Sequence, residues 1–390
     1  MAYRTEGSFS GDLRDPAPVE RLLWPDVAKG VCIVLVVLWH VIMKQYLQID
    51  WKISTPLPGA WGAAGELLLP LRMPLFFAIS GFFAARAVNR PWRTVARSRV
   101  AKFFYLYVLW LSVHTVVLSF FPGFATEHAG SVLEFVAQLT ITPTNLWYLF
   151  ALAVYFVIAK LSRRLPFWIM LAAAFALSAT ASAGLVAVPG DRGGLYQNLL
   201  FFLVGIYGTA LVKRVAVEAS WPRLALVGVP YLGVLVAVEH FDLKTTFGVW
   251  PVLSLVAIVL GVTAAALVTR WEKPANAIAS IGRRTLPIYV IHLPLVAVLN
   301  AVLHDPLSSL GPAAQLAVAV VDPIVLVAVL VALCLLLQRI LPSAWVFDLP
   351  SRRAKESRRT PEPRDFNASE QTMPLYPLRR PEVVSGMRPR

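Results

Sequence analysis

The stretch "DVAKGVCIVLVVLWHVIMKQY", residues 26–46, opens on two charges, Asp26 and Lys29, and runs into an apolar segment that carries a histidine, His40. An apolar run of about 20 residues is the length that crosses the hydrocarbon core of a bilayer as an α-helix. Comparable runs recur as far as residue 338. With Pro, Gly and charge clusters as punctuation, hydropathy places ten spans near 28–48, 62–85, 101–121, 145–161, 166–187, 195–212, 222–239, 249–269, 285–303 and 314–338. The composition agrees: 57% of the 390 residues are hydrophobic, 15% are charged and the mean hydropathy is +0.65, where a soluble chain carries about 25% charged residues. The expected fold is an all-α integral membrane protein of ten transmembrane helices packed as one unit. No small-residue cleavage site follows the first run, so it reads as a membrane helix, not a removed signal. Prolines 74, 230, 251, 287, 294 and 323 lie in or beside these runs, which membrane helices tolerate because neighbours satisfy the freed carbonyls.

Basic residues set the expected orientation. The segments on one side of the alternating spans hold 31 Lys and Arg, against four (Lys44, Lys52, Arg192 and Lys244) on the other. Cytoplasmic segments attract this excess, so both termini are expected to be cytoplasmic. The net charge of +14 follows from that topology and from a basic tail. It does not indicate nucleic acid, since no groove-reading or base-stacking module is present. Three regions result: a cytoplasmic N-terminal segment 1–25, a ten-helix membrane domain 26–340, and a tail 341–390. From 342 onward the tail has eight prolines and ten arginines or lysines. It cannot bury enough apolar surface to fold alone and is expected to be disordered and cytoplasmic, within reach of anionic lipid headgroups. Cys32 and Cys334 sit in apolar runs and read as small packing residues.

Ionisable side chains inside membrane spans are costly and are functional candidates by default. Six stand out: His40, Glu66, Arg72, His114, His292 and Asp322. At about 100° and 1.5 Å per residue, Lys29 and His40 share a face to within about 20° but lie about 16 Å apart, while Asp26 falls about 40° from His40. One polar stripe therefore carries a cation near the cytoplasmic surface and an imidazole in the membrane interior. The lysine suits a phosphate-bearing donor and the imidazole suits proton abstraction from a hydroxyl. The bland alternative is a packed, hydrogen-bonded histidine. Arg72, in "LRMPLFFAISGFF" (71–83), sits near mid-bilayer and requires an anion, a carbonyl cluster or water. A structural pair with Asp322 and a ligand contact are both open. Glu66 reads as interfacial, and His114 as a hydrogen bond between helices. Arg99 and Lys102 share a face at the start of the third span, and Tyr289 and His292 share one in "TLPIYVIHLPLV" (285–296). His128, His240 and His304 lie near the outer surface. No metal-ligand spacing, Walker loop, dinucleotide fingerprint or nucleophile elbow is present, and "GDRGG" (190–194) is an outer turn.

Together these stretches resemble acyltransferase family 3, bacterial membrane proteins that modify sugars and lipids of the cell envelope. The resemblance covers about residues 22–340. It rests on Lys29 with ten residues before His40, on "MPLFFAISGFF" (73–83), on "NLWYL" (145–149) and on "YVIH" (289–292). It implies an acyltransferase of the bacterial inner (plasma) membrane that moves an acyl group from cytoplasmic acyl-CoA to a hydroxyl on the outer side. The acyl group is expected to be acetyl, giving O-acetylation of an envelope sugar, polysaccharide or glycolipid; no metal is implied. His40, as general base or acyl carrier, forms the expected catalytic set with Asp26 and Arg72. Lys29, Arg99, Lys102, Tyr289 and His292 form the expected donor-binding set. Two departures are visible: Arg99-x-x-Lys102 replaces the family's frequent Arg-x-x-Arg, and Asn145 stands where a histidine is frequent. A transporter or flippase for an envelope precursor, and a non-catalytic scaffold, remain as alternatives. The absence of a matched pair of interrupted helices weighs against a transporter.

Overall fold

The computed structural model describes residues 22–350 apart from 125, 127 and 189–192, and among these every regular element is a helix. Helix α1 (Trp24–Lys44) has Pro25 in its first turn, where a missing N–H costs nothing, and places Asp26 and Lys44 to complement its dipole. The second span is broken at Leu68 into α2 (Leu57–Leu67) and α3 (Leu69–Val88). A short α4 (Trp92–Ala96) continues through a π-helical turn, Arg97–Ala101, into α5 (Lys102–Leu118). Next come α6 (Val132–Thr140), capped by the Ser131 hydroxyl, α7 (Trp147–Leu161) and α8 (Phe167–Ser182). The sixth expected span is divided into α9 (Gly193–Gln197), α10 (Leu199–Tyr207) and α11 (Thr209–Val217), with a 76° bend before α11. Helices α12 (Trp221–His240), α13 (Val249–Val268), the short α14 (Glu272–Gly282), α15 (Thr285–Ser309), α16 (Pro312–Ile340) and α17 (Ser343–Val346) complete the chain.

An apolar helix stands at each of the ten expected positions, but they are not equivalent. Among the described residues seven segments are long and apolar enough to cross a membrane, or eight if the bent pair around Gly208 counts as one. Helices α7 and α8 have only 15 and 16 residues. Hydropathy measures the apolar run, whereas the hydrogen-bonded helix covers only part of it: α7 begins at Trp147, two residues into its run, and α8 ends at Ser182, five residues before the end of its own. Large aliphatic side chains stay exposed along α12 (Leu226, Val229, Leu232, Val236) and α16 (Val320, Val321, Ile324, Val325), the outward apolar surface of a multi-span membrane protein.

Two close helix approaches need glycine. A Cβ on Gly81 of α3 would strike the Phe202 carbonyl of α10, and one on Gly205 would strike the Ala78 carbonyl. Gly30 of α1 and Gly282 of α14 make the same kind of mutual contact, against Ile278 and Asp26. Without a hydrophobic drive between helices in lipid, such close approach is what van der Waals association requires. Prolines are answered from neighbouring elements. Pro323 leaves the Ala319 carbonyl without a helical donor, and Tyr46 Oη (2.8 Å) and Trp61 Nε1 (3.1 Å) supply one. Pro294 likewise frees Val290 O, which His114 Nε2 meets at 2.8 Å. This cross-helix bond is the role expected for His114.

Helix ends rich in Lys and Arg gather at one face. Lys160 Nζ donates to Val88 O at 2.9 Å and to Arg90 O, and Arg270 Nη2 donates to Ala219 O at 2.8 Å. At the opposite face Lys244 bridges Glu66 (3.1 Å) and Glu239 (2.8 Å), placing Glu66 at the rim as expected.

The tail boundary requires correction. Residues 341–350 pack along α5, with Trp110 Nε1 donating to Val346 O at 2.9 Å and Tyr105 Oη to Trp345 O at 3.0 Å. Phe347 stacks on Trp110 with ring centres 5.9 Å apart, and Val346 and Phe347 are buried. "WVF" (345–347) is the apolar patch that a proline-and-charge reading of the tail overlooks. The expectation of disorder for 351–390, and most of the segment 1–25, lies outside the described residues.

Candidate active site

Helices α1, α3, α7 and α15 together line two cavities stacked along the bundle. The cavity toward the basic face, about 170 Å³, is bordered by Lys29, Ser80, Phe83, Arg99, Tyr148 and Thr285. The cavity toward the opposite face, about 280 Å³, is bordered by His40, Arg72, Asn145, Gln197 and Asn198, with indoles from Trp39, Trp147 and Trp250. Tyr289 lies in the wall of both. Eleven residues along α1 thus separate a cation in one chamber from an imidazole in the other, in accord with the shared face read from their spacing.

The partition is aromatic and hydrogen-bonded. Tyr289 Oη donates to Asn145 O at 2.7 Å and accepts from Tyr148 N at 3.3 Å. The Tyr148 ring meets Tyr289 edge-on at 5.4 Å and stacks on Phe76 at 4.7 Å. Ser80 Oγ donates to Phe76 O at 2.8 Å, so Tyr148 Oη, also 2.8 Å away, is the donor to Ser80.

The expected catalytic residues do not form one cluster. His40 is half-buried and borders the larger cavity; its Nδ1 lies 2.9 Å from Val36 O and 3.2 Å from His292 Nε2. Arg72 borders the same cavity, 6% exposed, with its guanidinium over the Trp39 ring at 4.8 Å. It makes no ion pair with Asp322, and its Nε has no hydrogen-bond partner among the described residues. Asp26 is elsewhere: 1% exposed near the start of α1, its Oδ1 2.9 Å from Lys29 Nζ. It orients the lysine and lines neither cavity.

The expected donor-binding residues divide as well. Lys29 and Arg99 border the cavity at the basic face, where Lys29 also lies over the Phe83 ring at 5.2 Å and Arg99 Nη2 reaches Phe83 O at 3.4 Å. Lys102, one turn on, faces away and pairs with Asp348 at 3.1 Å. A three-residue spacing brings two side chains onto neighbouring positions, but the strap at 341–350 takes one of them. His292 is 2% exposed and lies behind His40, not in the donor chamber. Asp322 is buried in α16, away from both cavities.

Several lining groups carried no assigned role in the sequence. Trp147 and Tyr148 stood within the quoted "NLWYL" and Trp39 beside His40. Gln197 and Asn198, carboxamides at the head of an apolar run, bore the same signal of intramembrane polarity that singled out the ionisable residues.

A polytopic helical bundle whose polar chemistry faces two internal chambers, one cationic and one holding an imidazole, is a membrane protein built around a buried reaction or passage site. The chain belongs to acyltransferase family 3: the family model described as an acyltransferase domain matches residues 22–339. It is 27% identical over 366 residues to Inner membrane protein YcfT of Escherichia coli (strain K12), covering 87% of this chain and 99% of that protein. No solved structure matches it.

Proposed function

We propose that the protein is an O-acyltransferase of the bacterial plasma membrane, taking acyl groups, acetyl in the simplest case, from cytoplasmic acyl-CoA to a hydroxyl of an envelope sugar, polysaccharide or glycolipid. The ten apolar segments would all span the bilayer, with the basic face and both termini cytoplasmic. The observation that carries the reading is the pair of chambers meeting at Tyr289, with Lys29 and Arg99 in one and His40 with Arg72 in the other.

In this reading the donor's phosphates meet Lys29 and Arg99, charge-assisted contacts that favour an anion, and the thioester reaches toward the Tyr289 partition. The acceptor enters the outer cavity, whose three indoles and three carboxamides offer stacking faces and hydrogen bonds to a sugar. His40 Nε2 takes the proton of the acceptor hydroxyl and the alkoxide attacks the acyl carbon. Arg72 faces the oxyanion as it forms. Collapse breaks the C–S bond, and the departing thiolate takes the proton from His40, leaving the ester and free CoA.

The test is CoA release from acetyl-CoA by the purified protein, with n-octyl β-glucoside as hydroxyl acceptor, together with mass spectrometry of envelope glycans and lipids from a deletion strain and its complemented parent. Transfer that falls about 10²–10⁴-fold in His40→Ala supports the reading. An intact thioester with every envelope fraction, or a folded His40→Ala protein at full rate, overturns it.

A further inference from the structure

His40 and His292 lie 252 residues apart in sequence, yet His292 Nε2 is 3.2 Å from His40 Nδ1, with the ring centres 4.9 Å apart at 62°. Each ring also turns its Nδ1 to the carbonyl one turn back on its own helix, His40 to Val36 O at 2.9 Å and His292 to Ile288 O at 3.1 Å. A carbonyl only accepts, so each Nδ1 facing one must carry the proton. Neutral His292 then has its lone pair on Nε2, and that lone pair faces the Nδ1–H of His40. The assignments agree: Ile288 O accepts from His292 Nδ1, and the single Nδ1–H of His40 is shared between Val36 O and His292 Nε2. The reverse assignment would leave a ring nitrogen lone pair against a carbonyl lone pair at both helices.

This chain of donors leaves His40 with its lone pair on Nε2. Among the described residues that nitrogen has no hydrogen-bond partner, and the ring borders the outer cavity. The charged or titratable groups around the pair are Arg72 of α3 and Tyr289 of α15 on the cavity side, Lys44 further along α1 and, beside His292, His114 of α5, which is engaged with Val290 O. Among the described residues no carboxylate pairs with His40 to do what the aspartate of a serine-protease triad does, namely fix the tautomer of the base.

We propose that His292 is the positioning residue of the acyl-transfer site, a neutral imidazole that holds His40 in its Nδ1–H form so that Nε2 is the base. The proposal rests on the acyl-transfer reading for its kinetic consequence, but the tautomer itself does not depend on it. During transfer the acceptor proton passes to His40 Nε2 and then to the thiolate, while His292 keeps its own proton on Nδ1 throughout.

The test uses full-length protein in lipid nanodiscs with isotope-labelled histidine. The His40 nitrogen signals are identified by their loss in His40→Gln. The wild-type protein should carry the proton on Nδ1. In His292→Leu a substantial share should move to Nε2, and kcat with acetyl-CoA and n-octyl β-glucoside should fall about 100-fold with KM for acetyl-CoA changed by less than about twofold. In His292→Gln, whose side-chain oxygen can accept the same bond, most of the rate and the Nδ1–H form should return. An unmoved tautomer in His292→Leu overturns the proposal whatever the rate, because the Val36 carbonyl then suffices alone. If the wild-type protein turns over neither probe, the acyl-transfer reading fails while the tautomer still decides the positioning role.

Discussion

Tyr289 Oη donates to the backbone carbonyl of Asn145 at 2.7 Å, and the ring so anchored is wall to both chambers. A partition of this kind would keep water of the outer cavity from the thioester until an acceptor arrives. Tyr289→Ala is expected to raise acceptor-independent hydrolysis of acetyl-CoA about tenfold, since exclusion of water is what suppresses that side reaction. Tyr289→Phe, which keeps the ring and loses only the hydroxyl, should stay near the wild-type hydrolysis rate. CoA release without acceptor measures both.

Arg72 is buried beside His40 with an indole against its face and, among the described residues, no carboxylate partner. Breaking a buried ion pair costs about 3–5 kcal/mol, because the abandoned partner remains charged. Arg72→Met abandons no partner, so the thermal midpoint should hold or rise. Its kcat should nevertheless fall about 10²–10³-fold, the usual effect of removing one oxyanion donor. A variant that loses stability and keeps its rate would assign Arg72 to the scaffold.

Arg99 and Lys102 are separated by their surroundings, one in the basic cavity and the other bound to Asp348. Arg99→Ala should raise KM for acetyl-CoA about tenfold, the loss of one charge-assisted contact. Lys102→Ala should leave KM within about twofold and cost at most about 1 kcal/mol of stability, since its ion pair is partly exposed. Equal effects at the two positions would contradict the placement.

His114 and Pro294 form a compensating pair, the imidazole meeting the carbonyl that the proline strips of its helical donor. His114→Leu leaves Val290 O buried and unmet, a loss of about 1–3 kcal/mol. Pro294→Ala restores a backbone N–H, so the double variant should be more stable than the sum of the single changes by about 1 kcal/mol. Denaturation of the four proteins in one detergent gives the cycle.

Much of the architecture was legible because its physics is local. Whether a segment partitions into hydrocarbon depends on the summed transfer preferences of its own residues, and α1, α3, α5, α12, α13, α15 and α16 fall where those sums are favourable. The 76° bend at Gly208 was not legible, since the hydropathy of 195–212 is the same whether the helix runs straight or turns. Lys29 and His40 could be placed on one side of α1 because helical phase is fixed by a residue count. The engagement of Lys102 could not, because Asp348 comes from a segment read by composition as an unstructured tail.

The sequence by itself determined that this is a multi-span helical membrane protein of acyltransferase family 3, and it singled out the ionisable groups that sit at membrane depth. Only the tertiary structure decided how they are distributed: His40 with Arg72 in one chamber, Lys29 with Arg99 in the other, Asp26 holding the lysine and His292 behind His40. Burial cost belongs to a single residue and can be read one position at a time. A hydrogen bond between side chains 252 positions apart depends on the rotation and depth of two helices at once, which packing alone sets.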